Sequence, residues 1–217
     1  MSTRQIIHQV AEEVRARLEG EGSGHDWWHV RRVWQLAQRL GREEKADMFV
    51  VELAALLHDI ADWKLHGGDD SVGPRVAREV MTTRKVPEDV MAQVCEIIPA
   101  MAFKGAGVKT DMLTLEGKVV QDADRLDAIG AIGVARTFAF GGFKGHIIYD
   151  PNVKPVAHST KESYAGSKGP VINHFYEKLL LLKDRMNTRA AKRIAGARHK
   201  FMEKYLQQFY QEWKGKA

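Results

Sequence analysis

Apolar positions recur along this chain mainly with the 3.6-residue period of an amphipathic helix. Between 26 and 40, Val30, Val33, Trp34, Ala37 and Leu40 fall on one face, behind Asp26, a residue type suited to an N-cap. Residues 46–61 carry a wider stripe of Phe49, Val50, Leu53, Ala54, Leu57, Ile60 and Ala61. That width predicts a central helix buried on most sides. Further helices are predicted at about 4–19, 71–84 and 88–98, the last opened by Pro87 with Glu88 and Asp89 behind it. The periodicity continues over 111–127 and 128–139, then over Val171–Met186 and Thr188–Trp213. In that last stretch Ile194, Phe201, Tyr205 and Phe209 share a side. No alternating pattern of period two competes over any length, so the expected fold class is all-α.

Two stretches interrupt the helical pattern. Residues 99–110 form a Gly-containing connection, and residues 141–170 are longer and rich in Gly, Pro, Lys and Ser. A 30-residue loop inside a compact domain is unusual, and such loops commonly serve as lids or binding loops. No repeat and no low-complexity tract separates two halves of the chain. Residues 1–217 are therefore expected to form one domain with a functional loop near 141–170.

Composition narrows the class. A chain of 217 residues with 44% hydrophobic residues can bury roughly 70% of its unfolded surface and needs no covalent staple. The single cysteine, Cys95, excludes an internal disulfide framework and fits a reducing compartment. No run of ~18 apolar residues suggests a membrane span, and the N-terminus has no apolar segment of the secretory type. A cytoplasmic protein without membrane attachment is expected. The net charge of +5 hides a split: residues 1–140 carry 18 basic against 22 acidic side chains, and residues 141–217 carry 15 against 6. Something anionic is expected at the basic end. Composition leaves nucleic acid, a nucleotide phosphate and an acidic lipid surface all open.

The candidate chemistry lies in polar residues placed where core helices should be apolar. The run ending Leu-Leu-His58-Asp59-Ile-Ala-Asp62 drives a His-Asp pair out of the end of a buried helix. A buried carboxylate costs several kcal/mol unless it is paired or coordinates a metal. Imidazole beside carboxylate suits a divalent ion such as Mn²⁺, Fe²⁺, Ni²⁺ or Zn²⁺; capping of the helix end is the alternative. In Gly24-His25-Asp26-Trp27-Trp28-His29-Val30-Arg31-Arg32, His25, His29 and Arg32 have the spacing of one helical face. In Asp122-Ala123-Asp124-Arg125-Leu126-Asp127, three carboxylates crowd a helix otherwise fit for the core. At that spacing they repel unless a cation or Arg125 neutralises them.

These segments together resemble the HD-domain metal-dependent phosphohydrolase superfamily, and within it a subgroup of small stand-alone bacterial hydrolases. The family order is a histidine, a His-Asp dipeptide and a distant aspartate, on separate helices of an all-α bundle. Here it corresponds to His29, His58-Asp59 and Asp124. Asp124 is preferred over Asp122 because the family's alarmone hydrolases carry a similar Ala-Asp-Arg-Leu string. The motifs cover about 25–127, leaving the basic loop and C-terminal helices at 141–217.

The resemblance implies one divalent metal ion, Mn²⁺ before Mg²⁺, Ni²⁺, Co²⁺, Fe²⁺ or Zn²⁺, held by His29, His58, Asp59 and Asp124. A second metal is not expected, because only His66 lies between Asp59 and Asp124 among histidines. Asp62 is the candidate general base or water-orienting carboxylate; a salt bridge to Lys64 is its structural alternative. Phosphate contacts are expected from His25, Arg32, Lys64, His66, Arg125 and Lys144. The implied activity is hydrolysis of a nucleotide, with nucleoside triphosphate to monophosphate and pyrophosphate favoured. The alternatives are a nucleoside monophosphate phosphatase and a non-catalytic metal- or nucleotide-binding HD module. The absence of a helix-turn-helix or an aromatic RNA-binding signature disfavours nucleic acid as partner. A monomer or homodimer is expected.

Overall fold

The computed structural model describes residues 1–20, 26–61, 69, 71–103, 105–108, 110–160, 163–164 and 166–216. Among them the regular elements are all helical, as the periodicity predicts. The chain forms two compact units: Met1–Phe103 with Thr110–Asp124, and Lys104–Lys109 with Arg125–Ala217.

In the first unit, α1 (Thr3–Leu18), α2 (Trp27–Glu44) and α3 (Met48–Leu57) pack on one another, with α5 (Glu88–Ile97) beside α3 and α4 (Val72–Thr82) packed on α5. The helix starts are written in the sequence. Ser2 and Gln5 form a capping box at α1, Asp26 accepts the His29 backbone N–H at 2.8 Å, and Asp47 accepts from Phe49 and Val50. Each such cap contributes about 1 kcal/mol. The α3 helix is the hub: Val50, Val51, Leu53, Leu56 and Leu57 are wholly buried. At roughly 1.5–3 kcal/mol per side chain these five contribute about 7–15 kcal/mol before chain entropy is counted. The helix stops at Leu57, and the chain turns through His58–Ala61.

The α6 helix (Leu115–Asp127) begins later than the predicted position 111. Thr114 explains the late start: its hydroxyl accepts the Gly117 N–H at 3.1 Å and caps the helix there. Before it, Met112 is buried and Leu113 is exposed.

In the second unit, α7 (Gly130–Phe143), α8 (Val171–Glu177) and α9 (Arg189–Trp213) meet at a triangle of rings, Phe138, Phe175 and Tyr205. The predicted single helix over Val171–Met186 is instead two elements. It breaks at Lys178 (φ −141°) and continues as a 3₁₀ helix, Leu179–Arg185. A 3₁₀ helix aligns residues three apart, and that alignment buries Leu179 and Leu182 together.

Among the described residues of 144–170 there is no long helix, and residues 147–153 are fastened to the helices of the same unit. The carbonyls of Ile147 and Ile148 accept from Val171 and Ile172 N–H. Asn173 donates to the Val153 carbonyl, and Tyr149 packs its ring against Phe209, Tyr210 and Trp213. Among the described residues, no single helix is long and apolar enough to cross a membrane.

Candidate metal centre

Three parts of the first unit converge on one point. The α2 helix brings His29 from its first turn, the end of α3 brings His58 and Asp59, and α6 brings Asp124. His29 is wholly buried and His58 nearly so, which places two imidazoles at the end of an apolar core. His29 Nε2 lies 3.3 Å from His58 Nε2 and 3.3 Å from Asp59 Oδ2. His58 Nε2 lies 3.5 Å from the same carboxylate oxygen. Asp124 Oδ1 completes the group at 3.5 Å from His29 Nε2 and 4.0 Å from His58 Nε2.

The tautomer of His58 follows from its neighbours. Its Nδ1 stands 2.9 Å from the Ala55 carbonyl oxygen. A carbonyl only accepts, so Nδ1 carries the proton in the neutral ring and Nε2 presents its lone pair to the site. This is how metal-binding histidines are commonly oriented.

The donor set suits a divalent cation. Ligand atoms held at ~2.1 Å from one ion stand about 3.0 Å apart at right angles and about 3.4 Å apart at tetrahedral angles. The observed separations begin at 3.3 Å, and His29, His58 and Asp59 together can hold a metal ion. Two neutral imidazoles and two carboxylates leave a charge of about −2 that is costly without a cation. The mixed nitrogen and oxygen set fits Mn²⁺, Fe²⁺, Co²⁺, Ni²⁺ or Zn²⁺ better than it fits a soft ion.

The three neighbouring aspartates differ in exposure. Asp122 is wholly buried, and Asp127 is buried against Arg136 at 2.9 Å. The Asp124 side chain is 30% exposed and faces the two histidines.

The expected substrate contacts are distributed unevenly. Arg32 lies on α2 one turn after His29 and is half-buried. Arg125 is buried in the second unit, where its guanidinium donates to the Arg185 carbonyl. Arg185 in turn donates to the carbonyls of Gly105, Ala106 and Val108, and burial pushes its pKa below the ordinary arginine value. Lys144 is exposed at the end of α7, with its ammonium over the rings of Phe140 and Phe143. His25, Asp62, Lys64 and His66 lie outside the described residues. Sequence patterning did not indicate the Ala55 carbonyl, because a main-chain acceptor leaves no signature in residue type. It also passed over Gln121, whose only signal is an amide among apolar neighbours on α6.

A helical chain that gathers His29 from one helix and His58 and Asp59 from the turn after another offers a donor set that could hold a metal ion. The chain belongs to the HD superfamily: the HD domain family model matches residues 27–129. The uncharacterized protein YpgQ of Bacillus subtilis is 41% identical over 210 residues, covering 95% of this chain and 93% of YpgQ. The crystal structure of YpgQ in complex with ADP superposes with a TM-score of 0.73 at 39% identity, over 95% of this chain and all of that one. A Lactobacillus plantarum crystal structure matches with a TM-score of 0.88 at 38% identity, over 99% of this chain and 100% of that one. An HD-superfamily hydrolase from Bacillus thuringiensis matches with a TM-score of 0.76 at 42% identity, over 98% and 99% of the two chains.

Proposed function

We propose that this protein is a divalent-metal-dependent phosphohydrolase acting on nucleotides, and that it converts nucleoside triphosphates to monophosphates and pyrophosphate. The observation that carries the reading is the convergence of His29, His58, Asp59 and Asp124 on one point. A nucleotide is favoured as substrate because the related YpgQ was crystallised with ADP, and because the last 77 residues are strongly basic.

His29, His58, Asp59 and Asp124 hold one ion, with Mn²⁺ preferred. When bound, that ion supplies a Lewis acid for a phosphoryl oxygen and acidifies a coordinated water. The protein residues do the rest. The Ala55 carbonyl keeps the His58 proton on Nδ1, so Nε2 stays available as a ligand. The apolar end of α3 excludes water from behind the histidines, while the partly exposed Asp124 marks the side open to substrate. Asp62 orients the attacking water as general base. His25, Arg32, Lys64, His66, Arg125 and Lys144 are the cationic or hydrogen-bonding groups assigned to the phosphates. The same reading takes residues 1–217 as one HD-type domain, a monomer or homodimer, working on a cytoplasmic nucleotide pool.

The test is a panel of nucleoside tri-, di- and monophosphates incubated with Mn²⁺, Mg²⁺, Co²⁺ or Ni²⁺, with products resolved by ³¹P NMR. Monophosphate and pyrophosphate are expected in equal amounts from triphosphates, and His58→Ala should abolish both. Orthophosphate as the only product would overturn the assigned bond. No turnover of any nucleotide with any metal would overturn the enzyme reading in favour of a binding module.

A further inference from the structure

The α6 helix carries both Asp124 and, one turn earlier, a buried amide. Gln121 is wholly buried, three residues before Asp124 on the same helix. Its Nε2 donates to two main-chain carbonyls, Ala100 at 2.9 Å and Thr110 at 3.0 Å. Ala100 closes the 3₁₀ turn Ile98–Ala100 that follows α5, and Thr110 lies ten residues later, ahead of α6. One side-chain amide therefore ties the helix to two separate points of the chain. A second tie, at the first turn of α6, is exposed: Glu116 Oε1 accepts the Asp47 N–H at 3.0 Å.

The metal site is unusually sensitive to this helix. His29 is fixed in a capped and buried first turn, and His58 is fixed by the Ala55 carbonyl. Asp124 has the most exposed side chain among the four groups and stands farther from each histidine than Asp59 does, 3.5 Å from His29 Nε2 and 4.0 Å from His58 Nε2. Its place depends on the rotation of α6. An atom ~5 Å from a helix axis moves about 1.7 Å when the helix turns by 20°. Metal–ligand distances tolerate only about 0.2 Å.

We propose that Gln121 is a positioning residue, whose amide fixes the rotation and axial position of α6 and thereby holds Asp124 Oδ1 within the metal site. The inference rests on the metal-site reading above. Two hydrogen bonds from one Nε2 to carbonyls on different chain segments constrain both rotation and translation, which apolar contact alone does not. A side chain of the same shape without donors removes both hydrogen bonds and leaves α6 freer to turn and slide against the two segments.

The experiment is calorimetric titration of metal-stripped full-length protein with Mn²⁺. Wild type, Gln121→Met, Asp124→Ala and Val94→Ala are compared, the last removing core volume from α5 as a control for lost stability. Gln121→Met is expected to weaken Mn²⁺ binding about 10- to 100-fold, and Val94→Ala to leave it within about 2-fold of wild type. Saturating Mn²⁺ should restore the turnover of Gln121→Met but not that of Asp124→Ala. If Gln121→Met does not fold, Gln121→Asn, whose amide is one methylene too short for both carbonyls, carries the test with an expected loss of about 3- to 10-fold. Binding by the Gln121 variant within 2-fold of wild type, with Asp124→Ala defective, overturns the positioning role and leaves the site standing. Equal weakening by Val94→Ala also overturns it, by making the effect one of general stability. No Mn²⁺ binding by wild type, or full binding by Asp124→Ala, overturns the site itself and the inference with it.

Discussion

Asp59→Asn separates a metal ligand from a structural ion pair, because the two readings predict opposite effects on the metal-free protein. The Asp59 side chain is 15% exposed, with Oδ2 3.3 Å from His29 Nε2 and 3.5 Å from His58 Nε2. Asparagine keeps the shape and one oxygen acceptor but removes the charge. If Asp59 served mainly to pair with a protonated histidine, losing the charge would break a buried pair at a cost of about 3–5 kcal/mol. For a chain of this size each kcal/mol shifts Tm by about 2–4 °C, so the metal-free Tm would fall by roughly 6–20 °C. If Asp59 is a ligand, its charge is a burden in the absence of metal, and the metal-free variant should melt at or slightly above the wild-type temperature. Metal reverses the order. Mn²⁺ at 100 times its Kd stabilises the native state by about 2.7 kcal/mol, a rise of about 5–11 °C for wild type. The variant should show almost none of that rise. The assay is a thermal melt followed by circular dichroism, with protein stripped by chelator and then titrated with Mn²⁺. A large drop in the metal-free Tm together with an undiminished Mn²⁺ shift would refute the ligand assignment.

Two further predictions concern the framework. Asp127 is buried against Arg136 at 2.9 Å, so Asp127→Ala should cost about 3–5 kcal/mol in urea unfolding; a loss under ~1 kcal/mol would show that the pair contributes no more than a surface contact. Burial raises the Glu13 carboxyl pKa, but the Arg84 and Arg17 guanidinium groups more than offset it and leave Glu13 below its ordinary value. Its contribution is then present above the ordinary glutamate value of 4.5 and is lost as pH falls through the lower folded value. Arg84→Met should therefore flatten the decline of stability below about pH 4.5, and parallel unfolding profiles for variant and wild type would contradict this origin of the shift.

Much of the fold was legible because it is set locally. Ser2, Asp26, Asp47 and Thr188 are helix-starting residue types, and each side chain accepts a backbone N–H in the first turn of its helix. The wide apolar stripe of α3 identified the hub because a helix surrounded by others has few polar positions left. Local reading went astray where tertiary packing chose among local options. The run Lys-Leu-Leu-Leu-Leu-Lys at 178–183 has no amphipathic face in an α-helix, and the 3₁₀ form prevails because it buries Leu179 and Leu182 together. The late start of α6 turned on a single threonine cap that periodicity does not register.

The candidate site divides in the same way. Residue types singled out the segments around His29, His58-Asp59 and Asp122–Asp127, because imidazole and carboxylate are conspicuous in helices that should be apolar, and the resemblance to the HD family then selected His29, His58, Asp59 and Asp124. The sequence could also show that basic charge gathers after residue 140, although not which of those cations meets a phosphate. Only the tertiary structure shows that His29, His58 and Asp59 meet, that Asp124 lies near the two histidines, and that Asp127 is buried against Arg136. It alone revealed the Ala55 carbonyl behind His58 and the Gln121 amide behind Asp124. The physical reason is that a ligand announces itself by its own chemistry. Its orientation depends on main-chain groups and distant segments, whose proximity exists only once the helices have packed.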